Sequence, residues 1–450
     1  MKHVSCFVHA MYIIVALSLM NHMLDLLSVN HNISHRRKRK TDDQLPYHKK
    51  RARVAWSPLV RSLGPDEFKI HHRISETLFE KIHHKIRHHI HSNPKYARRT
   101  CCRGGVSHVD SRSKLSMTLK HLAGSKTQDI TRCHGVSRST VVQSIRSTMD
   151  AIIEEFGIAP FPFDDEEALQ KIADGFKSKS TGGLFENVVG AFDGYLLQIS
   201  KRCIGKKSGI KDPSKYYCRK GYYAINCQVS CDSDRRVTSL SMLCPGAVPD
   251  RLAHLKGSMN RAIETGKLPS RFHFVGDNAY PQSDHMLTPY TRVHLRNDIH
   301  GWMDNYNFYL SQLRINIECT FGMITNKFPI LQAALLTPKL NRACKTFTVC
   351  CILHNLCIDE RLETNSTSVM SFETLQRYTQ RSHNTLRPLV LDEDFEYVDC
   401  MDEVIANALI DSHENAGPQY VEDDPNELSV KEAMTRKIAA RGYVRPRYKC

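Results

Sequence analysis

The chain of 450 residues is 41% apolar and carries a formal net charge of +16, so it can bury a sizeable core, has room for two domains plus tails, and favours a polyanionic partner. Its sixteen cysteines are scattered, with adjacent pairs at Cys101–Cys102 and Cys350–Cys351 and no C-x-x-C spacing, which excludes a zinc framework and a small disulfide scaffold. Cys227, Cys231 and Cys351 stand in apolar segments and read as small core residues.

The charge is uneven. Residues 1–60 hold ten Lys/Arg against three acids. The run MYIIVALSLM (11–20) behind Lys2 has signal-peptide length, but it is too short to span a bilayer and no small-x-small cleavage site follows. The clusters RRKRK (36–40) and KKRAR (49–53) resemble a bipartite nuclear-import signal in their spacing. Residues 1–64 are therefore expected to form a basic arm, the location is expected to be the nucleus, and no membrane partner is expected.

Residues 65–155 are expected to be helical. Ile74, Leu78, Ile82, Ile86 and Ile90 recur every four residues and mark one apolar stripe. Around it lie His83, His84, His88, His89 and His91. His84 and His88 have the spacing of a metal pair, yet no acid is placed as in H-E-x-x-H, so a solvated, weakly basic face is the expectation. LSMTLKHLAG (115–124) reads as a helix stopped at Gly124. Beyond it come a second helix, a tight turn at His134-Gly135-Val136, and a third helix with Ser137 as N-cap and Val141, Ile145 and Met149 as its buried stripe. This is the layout of a helix-turn-helix, which would turn Arg138, Ser139, Gln143 and Arg146 toward DNA. An ordinary three-helix bundle is the alternative. Residues 156–185 are expected as a linker.

From 186 the pattern changes to strands. NVVGAFDGYLLQI (187–199) sets Asp193 at the end of a buried apolar run, where an unpaired carboxylate costs several kcal/mol or is neutralised. An Asp-Gly hairpin turn is the alternative there. GYYAINCQVSCD (221–232) and RVTSLSMLCPG (236–246) read as further strands around a turn. RFHFVGDNAY (271–280) ends in a second acid, Asp277. Residues 307–331 are helical, with Leu310, Leu313, Ile317, Phe321, Ile324 and Phe328 in 3.6-residue period and Glu318 beside the stripe. A salt bridge from Arg314 is the structural alternative for Glu318. Two strand-end aspartates and a helical glutamate suit a divalent metal, since Mg²⁺ takes hard oxygen ligands and a pair of such ions can drive phosphoryl transfer. From Asp392 to Glu427 there are thirteen acids and no Lys or Arg. Residues 361–450 are expected as a charged tail, with room for a terminal helix.

The chain resembles the PIF/Harbinger transposases and Harbinger transposase-derived nucleases of the DDE superfamily over roughly residues 68–360. The stretches that carry the likeness are HRISETLFEKI, LKHLAG…GVSRSTV, VVGAFDGYLLQI, YYCRKGYYAINCQVSCD, CPGAVPD, FVGDNAYP, LRINIECTFG and CILHNLCI. The resemblance implies an RNase H-like mixed-sheet α/β domain at 186–360, a catalytic and metal-binding triad of Asp193, Asp277 and Glu318, and Mg²⁺ or Mn²⁺ as cofactor. Tyr195-Leu196, Pro249 and Asn278-Ala279 depart from family-typical residues, although the acids are present. Lys220, in RKGYY, is a candidate phosphate contact; Asp232 and Asp250 are weaker candidates that suit turns. The partners expected are DNA and, from resemblance alone, a separate Myb-like DNA-binding protein; a homo-oligomer is compatible with the sequence. The function read is metal-dependent DNA cleavage. The alternatives are a descendant that binds DNA or chromatin without cutting, and a glycosidase, whose paired carboxylates would leave the basic arm unexplained.

Overall fold

The computed structural model describes Trp56 and residues 63–92, 108–205, 208, 210, 212–363 and 429–446. The expected basic arm and import clusters, and the acidic stretch of the tail, lie outside the described residues. In chain order the helices before the sheet are α1 (Pro65–His72), α2 (Glu76–Ile90), α3 (Ser111–Leu122), α4 (Thr127–His134), α5 (Arg138–Glu155) and α6 (Glu166–Lys179). Strands β1 (Val188–Gln198), β2 (Ala224–Cys231) and β3 (Val237–Pro245) follow. After them come α7 (Asp250–Leu255), α8 (Ser258–Glu264), β4 (His273–Val275), β5 (Met286–Leu287), α9 (Arg292–Arg296), α10 (Trp302–Lys327), α11 (Leu340–Glu363) and α12 (Val430–Ala440).

The five strands form one mixed sheet in the order β3-β2-β1-β4-β5. β1, β2 and β3 are antiparallel neighbours, whereas β4 runs parallel to β1 and β5 parallel to β4. This is the RNase H-like arrangement. Helices α10 and α11 cover one face, where the rings of Tyr195, Phe321 and Phe347 meet. The other face holds a smaller apolar cluster that includes Phe161, Leu169, Phe192, Phe272 and Phe274. Cys227, Cys231 and Cys351 are free thiols in the core.

The helical region behaves as the apolar periods require. Ile74, Leu78, Ile82, Ile86 and Ile90 are all buried, as are Val141, Ile145 and Met149 of α5. Gly135 ends α4 in the left-handed conformation at φ 62°, and the Ser137 hydroxyl accepts from Thr140 N at 3.2 Å to start α5. His83 departs from the expectation of a solvated histidine face. It is buried, with Nε2 2.8 Å from the Ser111 hydroxyl, because α3 packs over that side of α2.

Three boundaries differ from the sequence reading. Residues 156–185 are not a simple linker, since α6 lies within them and buries Leu169, Ala173 and Phe176. Its spaced apolar residues and the Asp165 N-cap, which accepts from Ala168 N at 2.9 Å, are ordinary helix signals. β1 does not stop at Asp193 and makes no Asp-Gly hairpin there; it runs through to Gln198 because β2 pairs with it from Ala191 onward. The helical region and the sheet also share one hydrophobic cluster, joined through α11, in place of two separate cores. Lys345 of α11 pairs with Asp150 of α5 at 2.6 Å, and Ser75 donates to Glu360.

Candidate active site

The register of β1 and β4 places the first two acids. Ala191 pairs with Val275, and Asp193 and Asp277 each lie two residues further along parallel neighbours. They therefore stand at one level where β4 ends and β1 continues. Cross-strand pairing and the two-residue side-chain period put Asp193 on the face of Tyr195. Tyr195 packs on Phe321, at 5.2 Å between ring centroids, and Phe321 is one helical turn from Glu318. Ile317 is fully buried and anchors that stretch of α10. The third acid thus faces the first.

Burial pushes the Asp193 carboxyl up to about 7. The Gly194 N–H, 2.8 Å from Oδ1, opposes the rise. The charges of Asp277 and Glu318 reinforce it, and Arg314 opposes it. Glu318 Oε1 lies 2.9 Å from Arg314 Nη2, so the salt bridge weighed from sequence is present, between groups 39% and 30% exposed. Asp277 Oδ1 accepts from Ala279 N at 2.9 Å. The donor set fits a hard divalent cation: three carboxylates on separate elements, one of them desolvated and repelled by the other two. Their oxygens are not drawn into a tight cluster. Among the described residues, three ligand atoms come mutually within 4.8 Å at His88, His89 and Glu155 instead.

Sequence reasoning missed the polar network behind Asp193. Gln228, opposite Gly194 on β2, donates from Nε2 to Asn226 Oδ1 (2.8 Å) and accepts from the Tyr280 hydroxyl at 2.7 Å. Asn226 Nδ2 (2.9 Å) and Gln228 Nε2 (3.2 Å) both donate to Asp250 Oδ1. Arg219 comes within 3.9 Å of the other oxygen. Asp250 is thereby held against Gly194, where a Cβ would meet its carboxylate, with Cγ at 2.8 Å. The signal available in sequence was Gly194 itself. Asp232 is a turn residue between β2 and β3, accepting from Arg236 N at 2.9 Å. Lys220 is exposed in the turn before β2, next to Arg219. Arg138, Ser139, Gln143 and Arg146 are all exposed on α5, far along the chain from the acids but on the helix that packs against α11.

A family model described as a DDE superfamily endonuclease matches residues 192–355, a span that holds Asp193, Asp277 and Glu318. The chain carries a DDE superfamily endonuclease domain. The resemblance to Harbinger transposase-derived nucleases holds in homology to curated proteins. One is "Putative nuclease HARBI1" of Rattus norvegicus, 25% identical over 238 residues, 52% of this chain and 63% of that protein. The Homo sapiens protein of the same title is 22% identical over 232 residues, 51% of this chain and 62% of its own. "Protein ALP1-like" of Arabidopsis thaliana is 24% identical over 172 residues, 36% of this chain and 41% of that protein. The chain matches less than two thirds of the length of these relatives. A cryo-EM structure titled as a piggyBac transposase synaptic complex with hairpin DNA aligns over 85% of this chain and 90% of its own. Its TM-score of 0.31 and 12% identity are too low to bear on fold or function. Within the endonuclease domain, the two aspartates flank the point where the parallel neighbour of β1 ends, and Glu318 belongs to the helix laid across that point.

Proposed function

We propose that this chain cleaves DNA phosphodiester bonds with a divalent metal, Mg²⁺ or Mn²⁺, held by Asp193, Asp277 and Glu318, and that strand transfer can follow cleavage. The observation that carries the reading is the shared level of Asp193 on β1 and Asp277 just beyond the end of the parallel strand β4, beneath the helix bearing Glu318. Bound there, divalent cations would activate the attacking water or hydroxyl and stabilise the leaving oxygen. The residues do the holding. Asp193 supplies a carboxylate already stripped of water, Gly194 N–H fixes one of its oxygens, and Ala279 N–H fixes one of Asp277. Glu318 must leave Arg314 to join them, which frees that guanidinium to face a phosphate. Arg138, Ser139, Gln143 and Arg146 would grip DNA from the helical region, with Lys220 as a phosphate contact near the acids. A nuclear location, read from the basic clusters, and a separate Myb-like partner, expected from the resemblance alone, complete the proposal.

Glu318→Gln keeps the size of the side chain and removes its charge. It should leave folding and DNA binding nearly intact while lowering Mg²⁺-dependent cleavage of supercoiled DNA by several orders of magnitude. An active variant would rule out the triad as assigned. The second reading is a DNA-binding protein that does not cut, and the Arg314–Glu318 ion pair is the observation that favours it. In that case the same substitution would cost only a fraction of a kcal/mol in stability, as exposed pairs do.

A further inference from the structure

We propose that His88, His89 and Glu155 form a binding site for a transition metal of the Zn²⁺ class, tying the end of α2 to the end of α5, apart from the carboxylate triad. Sequence spacing alone pairs His84 with His88 and offers no acid. The fold supplies one from a helix more than sixty residues away. Glu155 Oε1 lies 2.7 Å from His89 Nε2 and 3.2 Å from His88 Nε2, and one ligand atom from each of the three residues falls within 4.8 Å of the others. Zn²⁺ bonds to nitrogen and carboxylate oxygen at about 2.0–2.1 Å, so tetrahedral ligand atoms stand roughly 3.3 Å apart. The two observed separations lie at and somewhat below that figure, so the side chains need open only slightly to admit the ion. A water can take the fourth position, while Glu154 Oε2, 3.6 Å from His89 Nδ1, stands at the other ring nitrogen, where it can orient that imidazole.

A second observation points to a cation there independently of the histidines' spacing. Both helices end at this place, α2 at Ile90 and α5 at Glu155, so two negative dipole ends converge on it. The last turn of α5 carries Glu154 and Glu155 and no basic residue, which is the unfavourable placement of acids on a helix. Two imidazoles converge on a single carboxylate oxygen, with their rings 3.9 Å apart. Protonating both rings would crowd two cations. A divalent ion meets the charge demand with both rings neutral, using the nitrogen lone pairs that a bare ion pair leaves idle. The donor set, two imidazoles and one carboxylate, suits Zn²⁺ rather than Mg²⁺, which seeks an all-oxygen shell. The site's consequence is structural. It would fix the far end of α5, the helix whose first turns carry Arg138, Ser139 and Gln143.

The test uses the full chain, stripped with chelator and titrated with Zn²⁺ in a calorimeter, and with Co²⁺ while following the visible bands of a tetrahedral ion. The wild type should bind one more equivalent of Zn²⁺ than His88→Gln or Glu155→Gln. It should also show a Zn²⁺-dependent rise in Tm that both variants lose, while Asp193→Asn retains both signals. His88 is exposed, so His88→Gln keeps the test valid if Glu155→Gln fails to fold. Equal stoichiometry and equal Tm response in wild type and folded His88→Gln would overturn the site. So would an equivalent lost in Asp193→Asn and kept in His88→Gln.

Discussion

Burial and two neighbouring acids make an ionised Asp193 costly to the fold, a cost that the divalent cation of the proposed function would reverse. The carboxyl sits at about 7 when folded and near 3.9 in an unfolded chain. Its favourable contribution is therefore complete below about pH 4 and is lost as pH rises through about 7. In chelator, Asp193→Asn should match the wild type in thermal stability at low pH and exceed it at pH 8. Mg²⁺ should raise the wild-type Tm at pH 8 and hardly at pH 5, since a proton and the cation compete for one carboxylate. Equal Mg²⁺ responses at the two pH values would separate Asp193 from the metal. Gly194→Ala tests the layer behind: its Cβ would meet the Asp250 carboxylate, which Asn226 and Gln228 hold in place. Such overpacking costs about 1–3 kcal/mol and should displace the neighbouring Asp193, lowering cleavage at unchanged DNA affinity. Activity equal to wild type would show that the network is idle. The two aspartates stand out in the sequence because each ends an apolar run, and Glu318 because it adjoins the apolar stripe of its helix. The Asp250 network was not legible there, because its members come from β2, the first turn of α7, and the segment after β4, and only the tertiary fold joins them.

At the scale of elements, apolar period located the helices well and pairing partners poorly. Leu310, Leu313, Ile317 and Ile324 are buried along α10 as their spacing requires. Nothing local to VVGAFDGYLLQ tells that β2 will carry β1 five residues beyond Asp193, since strand length is set by the neighbour. The same limit applies to His89 and Glu155, which no spacing rule connects. The α4–turn–α5 geometry was legible from Gly135, Ser137 and the buried stripe, and it leaves the DNA-facing role to be tested. Arg138→Ala and Arg146→Ala should each weaken DNA binding, by about 1–3 kcal/mol where a base contact is lost. A lost phosphate contact should instead flatten the dependence of log affinity on log salt by about one unit. Binding measured by fluorescence anisotropy over a salt series distinguishes these outcomes. A folded double variant with wild-type affinity and slope would make α3–α5 a bundle and nothing more.

Over the whole molecule, the helical region, the sheet and α12 draw on one apolar cluster, which runs from Phe68 to Ile438. Its unity comes from two long helices: α11 reaches both α5 and the sheet, and α10 carries α12 on its outer side. Met434 and Ile438 are buried beneath α12, Tyr309 donates to Val444 O at 3.0 Å, and Arg445 pairs with Asp304 at 2.9 Å. A shared core predicts one cooperative unfolding transition, and the chain's two tryptophans make this measurable. Trp56 stacks on Phe79 of α2, at 4.8 Å between centroids, whereas Trp302 opens α10. In Trp56→Phe and Trp302→Phe proteins, the remaining indole reports one region each. Both should melt together, as coincident probes do in a two-state transition. Ile438→Ala should cost about 2–5 kcal/mol and lower both midpoints equally. Two separated midpoints, with Ile438→Ala shifting only the Trp302 signal, would mean that the helical region folds on its own and that α5 is coupled to the acids by no more than the chain between them.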